Sequence, residues 1–253
     1  MTMNNHKYLL EICCYSAEDV IKASNCGAHR VELCSGYEVG GTTPSLGSLK
    51  LAKSNCNTPI YTMIRPRGGN FYYSALEKKI ILKDIELALM NEADGIVFGA
   101  LIDDGCIDKI FCKEVFALCQ KTPITFHRAI DICNDYADAI DFLASNGVQN
   151  ILTSGLAIKA LDGIEILKSM HILAKNNINI MAGSGITEQN IIEFAKIGLK
   201  HFHSSASEII KISDAPNIIN FNANLANNEL AVVSEKKVLA MLQRLNEYFA
   251  KHA

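Results

Sequence analysis

The chain has 253 residues, of which 49% are apolar and 20% are charged, and its formal net charge is -3. This composition suffices for one large hydrophobic core, and no block of lysine or arginine provides the electrostatic surface that nucleic acid binding requires. No apolar run reaches the ~18 residues of a membrane span, and the start of the chain lacks the features of a signal peptide. We therefore expect a cytoplasmic protein with neither nucleic acid nor membrane as a partner.

Short apolar runs alternate with longer segments in which apolar residues recur three and four positions apart, the pattern of alternating strands and helices. The predicted strands are 9–13, 30–34, 60–64, 95–98, 124–127, 150–153, 178–182 and 200–203. The predicted helices are 17–26, 45–55, 75–91, 108–120, 135–146, 162–175, 188–197 and 235–250. Eight such pairs predict an α/β fold, a single-domain (β/α)8 TIM barrel over residues 1–253. An open doubly wound sheet is the alternative, which this strand count favours less.

Residues 212–230 break the pattern, because this stretch is rich in asparagine and has no clean period. We predict a long irregular loop after strand eight, with the asparagines at 213–228, in the position of a lid over the barrel mouth. Ser234 is expected to cap the closing helix.

Strands one and two both end in Glu-x-Cys, as Glu11 with Cys13 and Glu32 with Cys34. Side chains two apart on a strand share a face, so these four groups converge at the barrel mouth if that face points inward. Paired thiolates suit Cu(I), and the glutamates suit proton transfer. The alternative is that the cysteines only fill the core. The nine cysteines of the chain form no Cys-x-x-Cys pair, and free thiols are expected in a reducing compartment.

Arg65 and Arg67 follow strand three on either side of Pro66, which keeps the chain extended. Two arginines two positions apart then face the same way and predict a two-pronged anion clamp, with Gly68 and Gly69 leaving the backbone accessible. Alternatively, these arginines face solvent or pair with carboxylates of the barrel. Buried Glu11 and Glu32 need partners, and we expect them among Arg65, Arg67, Arg128 and His127.

Strand five ends at His127 and Arg128, and His127 is the best candidate in the chain for a proton-transfer group. Its alternative is a core histidine bonded to a carboxylate. His203 on strand eight is a second candidate, for which the structural interpretation is favoured because His201 and His203 flank Phe202 without another reactive group nearby in the sequence.

Glycine and hydroxyl residues follow strands six, seven and eight. Loops of this kind after strands seven and eight commonly hold a phosphate on backbone N–H groups, and the first one is predicted to enter a helix at Thr187. Tight turns that bind nothing are the alternative. Together with the arginines, these loops complete a predicted anion site of Arg65, Arg67, Arg128, Ser154, Gly183, Ser184, Gly185, His203 and Ser204.

Several motifs, taken together and in this order, resemble the CutC copper homeostasis family from residue 10 to about residue 206. They are Leu-Glu-Ile-Cys at 10–13, Gly-Ala-His-Arg-Val-Glu-Leu-Cys at 27–34, Gly-Gly-Thr-Thr-Pro-Ser at 40–45, Met-Ile-Arg-Pro-Arg-Gly-Gly at 63–69, Thr-Phe-His-Arg-Ala at 125–129, Ile-Leu-Thr-Ser-Gly at 151–155 and Phe-His at 202–203. The chain departs from the family pattern after strand seven, where Ala182-Gly183-Ser184-Gly185 replaces Pro-Gly-Gly-Gly, and at Asn70 and His201.

The resemblance implies a TIM barrel, a cytoplasmic location and a role in copper handling, with Cys13 and Cys34 at the positions of proposed Cu(I) ligands. The first hypothesis is weak Cu(I) binding by these cysteines. The second is an enzyme acting on a small anionic or phosphorylated metabolite, with Glu11, Glu32 and His127 as catalytic candidates. A third is a non-catalytic barrel that serves as a partner surface, and a homodimer is the candidate assembly.

Overall fold

A computed structural model describes residues 7–212 and 229–252 of the chain. Eight parallel strands form a closed barrel, in which each strand pairs with its sequence neighbours and the eighth pairs with the first. They are β1 (Leu9–Cys14), β2 (Arg30–Leu33), β3 (Ile60–Met63), β4 (Gly95–Phe98), β5 (Ile124–Phe126), β6 (Asn150–Thr153), β7 (Asn179–Ala182) and β8 (His201–Ser204). The predicted TIM barrel is confirmed, and its strand ends lie within one residue of those expected.

Eight α-helices follow the strands around the barrel. They are α1 (Ala17–Asn25), α2 (Leu46–Asn55), α3 (Ala75–Met90), α4 (Lys109–Cys119), α5 (Tyr136–Ser145), α6 (Ile164–Ala174), α7 (Ile191–Lys196) and α8 (Glu235–Lys251). Short 3-10 helices span Tyr37–Val39 and Arg128–Ile132. Serine hydroxyls cap several N-termini, and at α3 Ser74 and Glu77 form a capping box. Among the helices of the described ranges, none has both the length and the apolar composition needed to cross a bilayer.

The chain after β8 differs from the prediction. Strand β9 (Ser207–Lys211) pairs antiparallel with β10 (Glu229–Val233), so Glu229 and Leu230 belong to a strand and not to a loop. The asparagine-rich segment 213–228 lies outside the described residues. Ser234 stands at the N-cap of α8, but its hydroxyl donates to Glu208 at 2.9 Å and makes no capping bond to the helix, so the expected cap contact is wrong.

Successive side chains of each strand point alternately outward and inward, which gives the protein two separate apolar clusters. On β1, Leu10, Ile12 and Cys14 pack in the large apolar layer between strands and helices. A smaller cluster inside the barrel consists of Cys13, Cys34, Tyr61, Met63 and Val97. Because neighbouring residues of a strand point to opposite faces, the Glu-x-Cys pairs of β1 and β2 both face the barrel interior, as the sequence predicts.

Candidate functional site

Glu11 is the centre of a buried ion cluster inside the barrel. Its side chain is fully buried, and its carboxylate accepts hydrogen bonds from Arg30 Nε and from His203 Nδ1, the latter at 2.7 Å. The barrel register explains both contacts, because Glu11 pairs with Arg30 on β2 and with His203 on β8. The prediction that Arg65, Arg67, Arg128 or His127 would pair with the glutamates is therefore wrong. The partner cation is Arg30, which no motif singled out.

The charges of this cluster stabilise one another. Burial opposes ionisation of Glu11, but the Arg30 guanidinium and then His203 bring the pKa of this carboxyl down to about 2. Burial likewise disfavours a charged imidazole, yet Glu32, Cys13 and Glu11 raise the pKa of His203 well above its ordinary value. Glu11 is therefore ionised, and Nδ1 of His203 donates the hydrogen bond between them.

Cys13 and Cys34 meet beside this cluster, with their Sγ atoms 3.9 Å apart. Cys34 Sγ also lies 3.4 Å from Glu32 Oε2, and His203 Nε2 lies 3.7 Å from the same oxygen. The predicted convergence of two thiols and two carboxyls is confirmed. The low expectation for His203 is corrected, because the closed barrel brings β8 against β1 and places its imidazole among these groups.

The two thiols differ in protonation. The hydrogen bond with Cys34 lowers the pKa of Cys13 well below its ordinary value despite burial, and His203 adds to the effect. Burial, reinforced by the neighbouring Cys13, raises the pKa of both Cys34 and Glu32 well above their ordinary values. Cys13 is therefore the more readily ionised of the two thiols, while burial favours the protonated forms of Cys34 and Glu32.

Three of these groups satisfy the spacing of a metal site. One ligand atom from each of Cys13, Glu32 and His203 lies within 4.8 Å of the others, and all three side chains are buried. Glu11 holds Nδ1 of His203 and thereby leaves Nε2 turned toward this group. A carboxylate that orients a histidine in this way is typical of metal sites in proteins.

A cavity of about 350 Å³ opens above the cluster at the carboxyl ends of the strands. Cys13, Glu32 and His203 lie on the side of the barrel formed by β1, β2 and β8, and His127 directly follows β5, across the barrel. The other lining residues of the cavity include Tyr15, Met63, Arg65, Phe71, Arg128, Ser184, Gly185, Ser204, Lys237 and Met241.

The predicted arginine clamp is not formed. Arg65 lines the cavity, but its guanidinium donates to the carbonyl oxygens of Val39, Gly41 and Gly69 at 2.7 to 2.8 Å. Arg67 lies away from the cavity, where it pairs with Glu77 and with nearby carbonyl groups. Both arginines hold loops in place, because their N–H groups donate to backbone carbonyl oxygens near the end of the strand rather than to a shared anion.

His127 lines the cavity and is buried, with 2% of its surface exposed. Its Nδ1 accepts the N–H of Ala129 at 3.2 Å, and its ring packs against Phe71 with centroids 4.7 Å apart. Burial, with the positive charge of Arg65, lowers the pKa of His127 to about 3. This imidazole is neutral near pH 7 and is a weak base, and its role in proton transfer stays a prediction. The carboxylate bond of the alternative interpretation is also not seen among its contacts.

Arg128 and Ser154 belong to one network around Asp131. Arg128 donates to Asp131 at 2.7 Å and to Ser154 Oγ at 2.9 Å, and Ser154 in turn donates to Asp131 at 2.8 Å. Ser154 is fully buried, so it serves the loop rather than a ligand. Arg128 keeps 40% of its side-chain surface exposed and lines the cavity.

The loops after β7 and β8 are also engaged with the protein. Ser184 Oγ donates to Ile158 O and Ser204 Oγ to Ile186 O, both at 2.7 Å. Helix α7 begins at Ile191, later than predicted, and the N–H of Thr187 donates to Asn190 Oδ1 at 2.8 Å. These contacts engage both hydroxyls and the Thr187 N–H, and phosphate binding by these loops stays a prediction.

The structure favours glycine at positions 183 and 185 because of local packing and backbone conformation. A Cβ on Gly183 would stand 2.4 Å from Leu152 Cδ1, and Gly185 has a φ of +76° in the left-handed region. Both positions therefore favour glycine for conformational and packing reasons, independent of an anion.

Sequence reasoning missed Arg30, although a signal was present. Arg30 precedes Glu32 by two positions on β2, so strand alternation places both on the inward face. A buried cation on that face needs a carboxylate, and the adjacent strand offers Glu11.

The fold and the polar strand ends at its mouth define a (β/α)8 barrel protein with a buried thiol, carboxyl and imidazole cluster. The CutC family model matches residues 8–208, and the chain belongs to this family.

Named relatives agree with this assignment. The human copper homeostasis protein cutC homolog is 44% identical over 200 residues, which cover 79% of this chain and 73% of the human one. The CutC family protein of Bacteroides fragilis is 44% identical over 206 residues, covering 81% and 82% of the two chains. The crystal structure of CutC from Streptococcus agalactiae aligns with a TM-score of 0.74 at 34% identity, covering 78% of this chain and 98% of that one.

Proposed function

We propose that this protein binds Cu(I) in the barrel mouth through Cys13 and Cys34, and that this binding is its part in copper homeostasis. The observation that carries the proposal is the distance of 3.9 Å between the two Sγ atoms. With metal–sulfur bonds of about 2.3 Å, the sulfurs of a linear ion stand about 4.6 Å apart and those of a planar three-coordinate ion about 4.0 Å apart. The observed spacing favours three-coordination.

His203 is the proposed third ligand. His203 forms with Cys13 and Glu32 a group whose donor atoms lie within 4.8 Å of one another, and Glu11 fixes the ring through Nδ1. Its Nε2 is thereby turned toward this group, 3.7 Å from Glu32 Oε2. Imidazole and thiolate are softer donors than carboxylate and suit Cu(I) better than Glu32 does. Glu32 then remains beside the ion as a protonated neighbour.

A cytoplasmic location is part of this proposal. All nine cysteines are free thiols in the structure, including several at partly exposed positions. Free thiols in this number fit a reducing compartment.

Anaerobic titration with Cu(I) against a chromophoric chelator tests the proposal. Cys13→Ser and Cys34→Ser should each weaken Cu(I) binding by about tenfold or more, since a hydroxyl is a poor ligand for a soft ion. Cys14→Ala is the matched control, because Cys14 is buried on the opposite face of the same strand. Equal affinity in the native protein and both serine variants would refute the proposal. X-ray absorption spectroscopy at the copper edge should report two sulfur ligands and one nitrogen ligand on the bound ion.

A second candidate function is an enzymatic reaction on a small anionic metabolite. It is favoured by the cavity of about 350 Å³, whose volume exceeds what one metal ion needs. Glu32 and His203, rather than His127, are then the groups placed to exchange protons with a ligand. A thermal-shift screen of metabolites, followed by detection of product by NMR for each stabilising compound, tests this candidate.

A further inference from the structure

His127 presents an unused hydrogen-bond donor. Its Nδ1 accepts the Ala129 N–H, so the proton of the neutral ring is on Nε2. Nε2 is buried and has no hydrogen-bond partner within the described residues. An unpaired donor in this position costs free energy unless a ligand or a water satisfies it.

The packing of the ring shows where this donor points. A Cβ on Gly99 would lie 2.6 Å from both Cε1 and Nδ1 of His127, so that edge of the ring rests on β4. One face of the ring packs against Phe71. The ring edge that carries Nε2 is free of both contacts, and the His127 side chain lines the cavity. We infer that Nε2 lies on the cavity side of the ring.

Arg65 adds a buried positive charge to the same side of the cavity. Its side chain is 5% exposed, and within the described ranges its guanidinium hydrogen bonds go to carbonyl oxygens, with no carboxylate at ion-pair distance. A buried cation without an anionic partner is costly. Phe71 contacts both groups, with its ring 5.0 Å from Arg65 Cζ and 4.7 Å from the His127 ring. The donor and the cation thus flank one aromatic side chain.

The rest of the cavity favours an anion of low charge. Arg128 and Lys237 add positive charge at the lining, which also includes the acidic residues Glu32 and Glu188. A phosphate dianion is best held by several N–H and O–H donors, but the Ser184 and Ser204 hydroxyls and the Thr187 N–H are already engaged. The Nε2–H donor of His127 and the buried charge of Arg65 together suit a ligand that has a single carboxylate.

We propose that the cavity binds a small carboxylic acid in its ionised form, with one carboxylate oxygen accepting the Nε2–H of His127 beside Arg65. The other end of the molecule then extends across the barrel toward Cys13, Glu32 and His203. This inference rests on the second candidate function and is independent of copper binding. The depressed pKa of His127 supports it, since the ring stays a neutral donor in the presence of the cation.

Isothermal titration calorimetry of the full chain tests the proposal, with sodium acetate, pyruvate, succinate and phosphate as probes and sodium chloride at equal ionic strength as reference. We expect at least one carboxylate to bind at about one per chain and more tightly than phosphate. His127→Asn should weaken that binding by about tenfold or more, the loss of one hydrogen bond to a charged group. Asparagine is chosen because its side chain can still accept the Ala129 N–H while lacking the distant N–H.

Arg67→Lys is the matched control, because Arg67 lies outside the cavity, and it should bind the carboxylate as the native protein does. Absence of binding by all three carboxylates, tighter binding of phosphate, or unchanged affinity in a folded His127→Asn would each overturn the proposal. Cys34→Ser should keep carboxylate binding while weakening Cu(I) binding, because Cys34 is a proposed copper ligand that does not line the cavity. This variant separates the two sites. Carboxylate binding without any turnover would refute the second candidate function and leave this subsite intact.

Discussion

The imidazole of His203 and the carboxylate of Glu11 are joined by a hydrogen bond of 2.7 Å. This bond links the side chains of β8 and β1, the two strands whose backbone pairing closes the barrel. Glu11 also binds Arg30, so one buried carboxylate accepts hydrogen bonds from side chains of the strands on either side. Removal of that carboxylate leaves both Arg30 and His203 without this buried anionic partner.

Glu11→Gln is expected to lower the free energy of unfolding by about 3 to 5 kcal/mol, the cost of breaking a buried ion pair from one side. Urea denaturation at pH 7 measures this change. Glu18→Gln is the control, because Glu18 forms an exposed helical pair with Lys22. A loss as small as that of the control would show that the cluster does not stabilise the fold.

Arg65→Lys should destabilise the protein more than Arg67→Lys. A lysine has one ammonium group and cannot satisfy the three carbonyl oxygens that Arg65 binds in the interior, and unpaired buried acceptors cost about 1 to 3 kcal/mol each. Around Arg67 the side chain is 38% exposed, so water replaces its lost bonds. Thermal unfolding of both variants provides the comparison, and equal losses would contradict the interpretation.

As the pH is lowered, the free energy of unfolding should fall more steeply in the native protein than in the His127→Asn variant. The pKa of His127 is about 3 in the folded state and near 6.5 when unfolded, so the unfolded chain binds this proton first. The stabilisation is complete above about pH 6.5 and is lost as the pH falls toward 3. Urea unfolding between pH 7 and about pH 4 tests this. His201, whose pKa is also lowered, to about 4, is present in both proteins and cancels in the comparison. Parallel pH profiles would refute the assignment.

Gly99→Ala should displace His127. Its Cβ would stand 2.6 Å from the ring and 3.0 Å from Ala129 Cβ, which costs about 1 to 3 kcal/mol of stability by overpacking. Gly47→Ala is the control, because a Cβ there has its nearest neighbour, Ser45 Oγ, at 3.8 Å, and a helical alanine is favourable. Denaturation midpoints of the two variants should move in opposite directions; a loss at position 47 equal to that at 99 would contradict the packing argument.

The barrel itself was predictable because its signals are local. Apolar period, glycine turns and strand alternation act over a few residues, and they were sufficient to place the strands and to turn Glu11, Cys13, Glu32 and Cys34 inward. The hairpin after β8 was missed for the opposite reason, since Leu230 pairs with Ile210 across a segment whose composition resembles a loop.

The partners of the inward groups depended on tertiary structure. The sequence by itself determined that carboxyls and thiols share the barrel mouth, because each Glu-x-Cys lies on one strand. Only the closed barrel decided that Glu11 meets Arg30 and His203. It also decided that Arg65 and Arg67 hold separate loops rather than converge on one anion, and that Nε2 of His127 has no hydrogen-bond partner among the described residues. Those outcomes depend on the register of strands distant in the chain and on competition between buried groups, which local patterns do not encode.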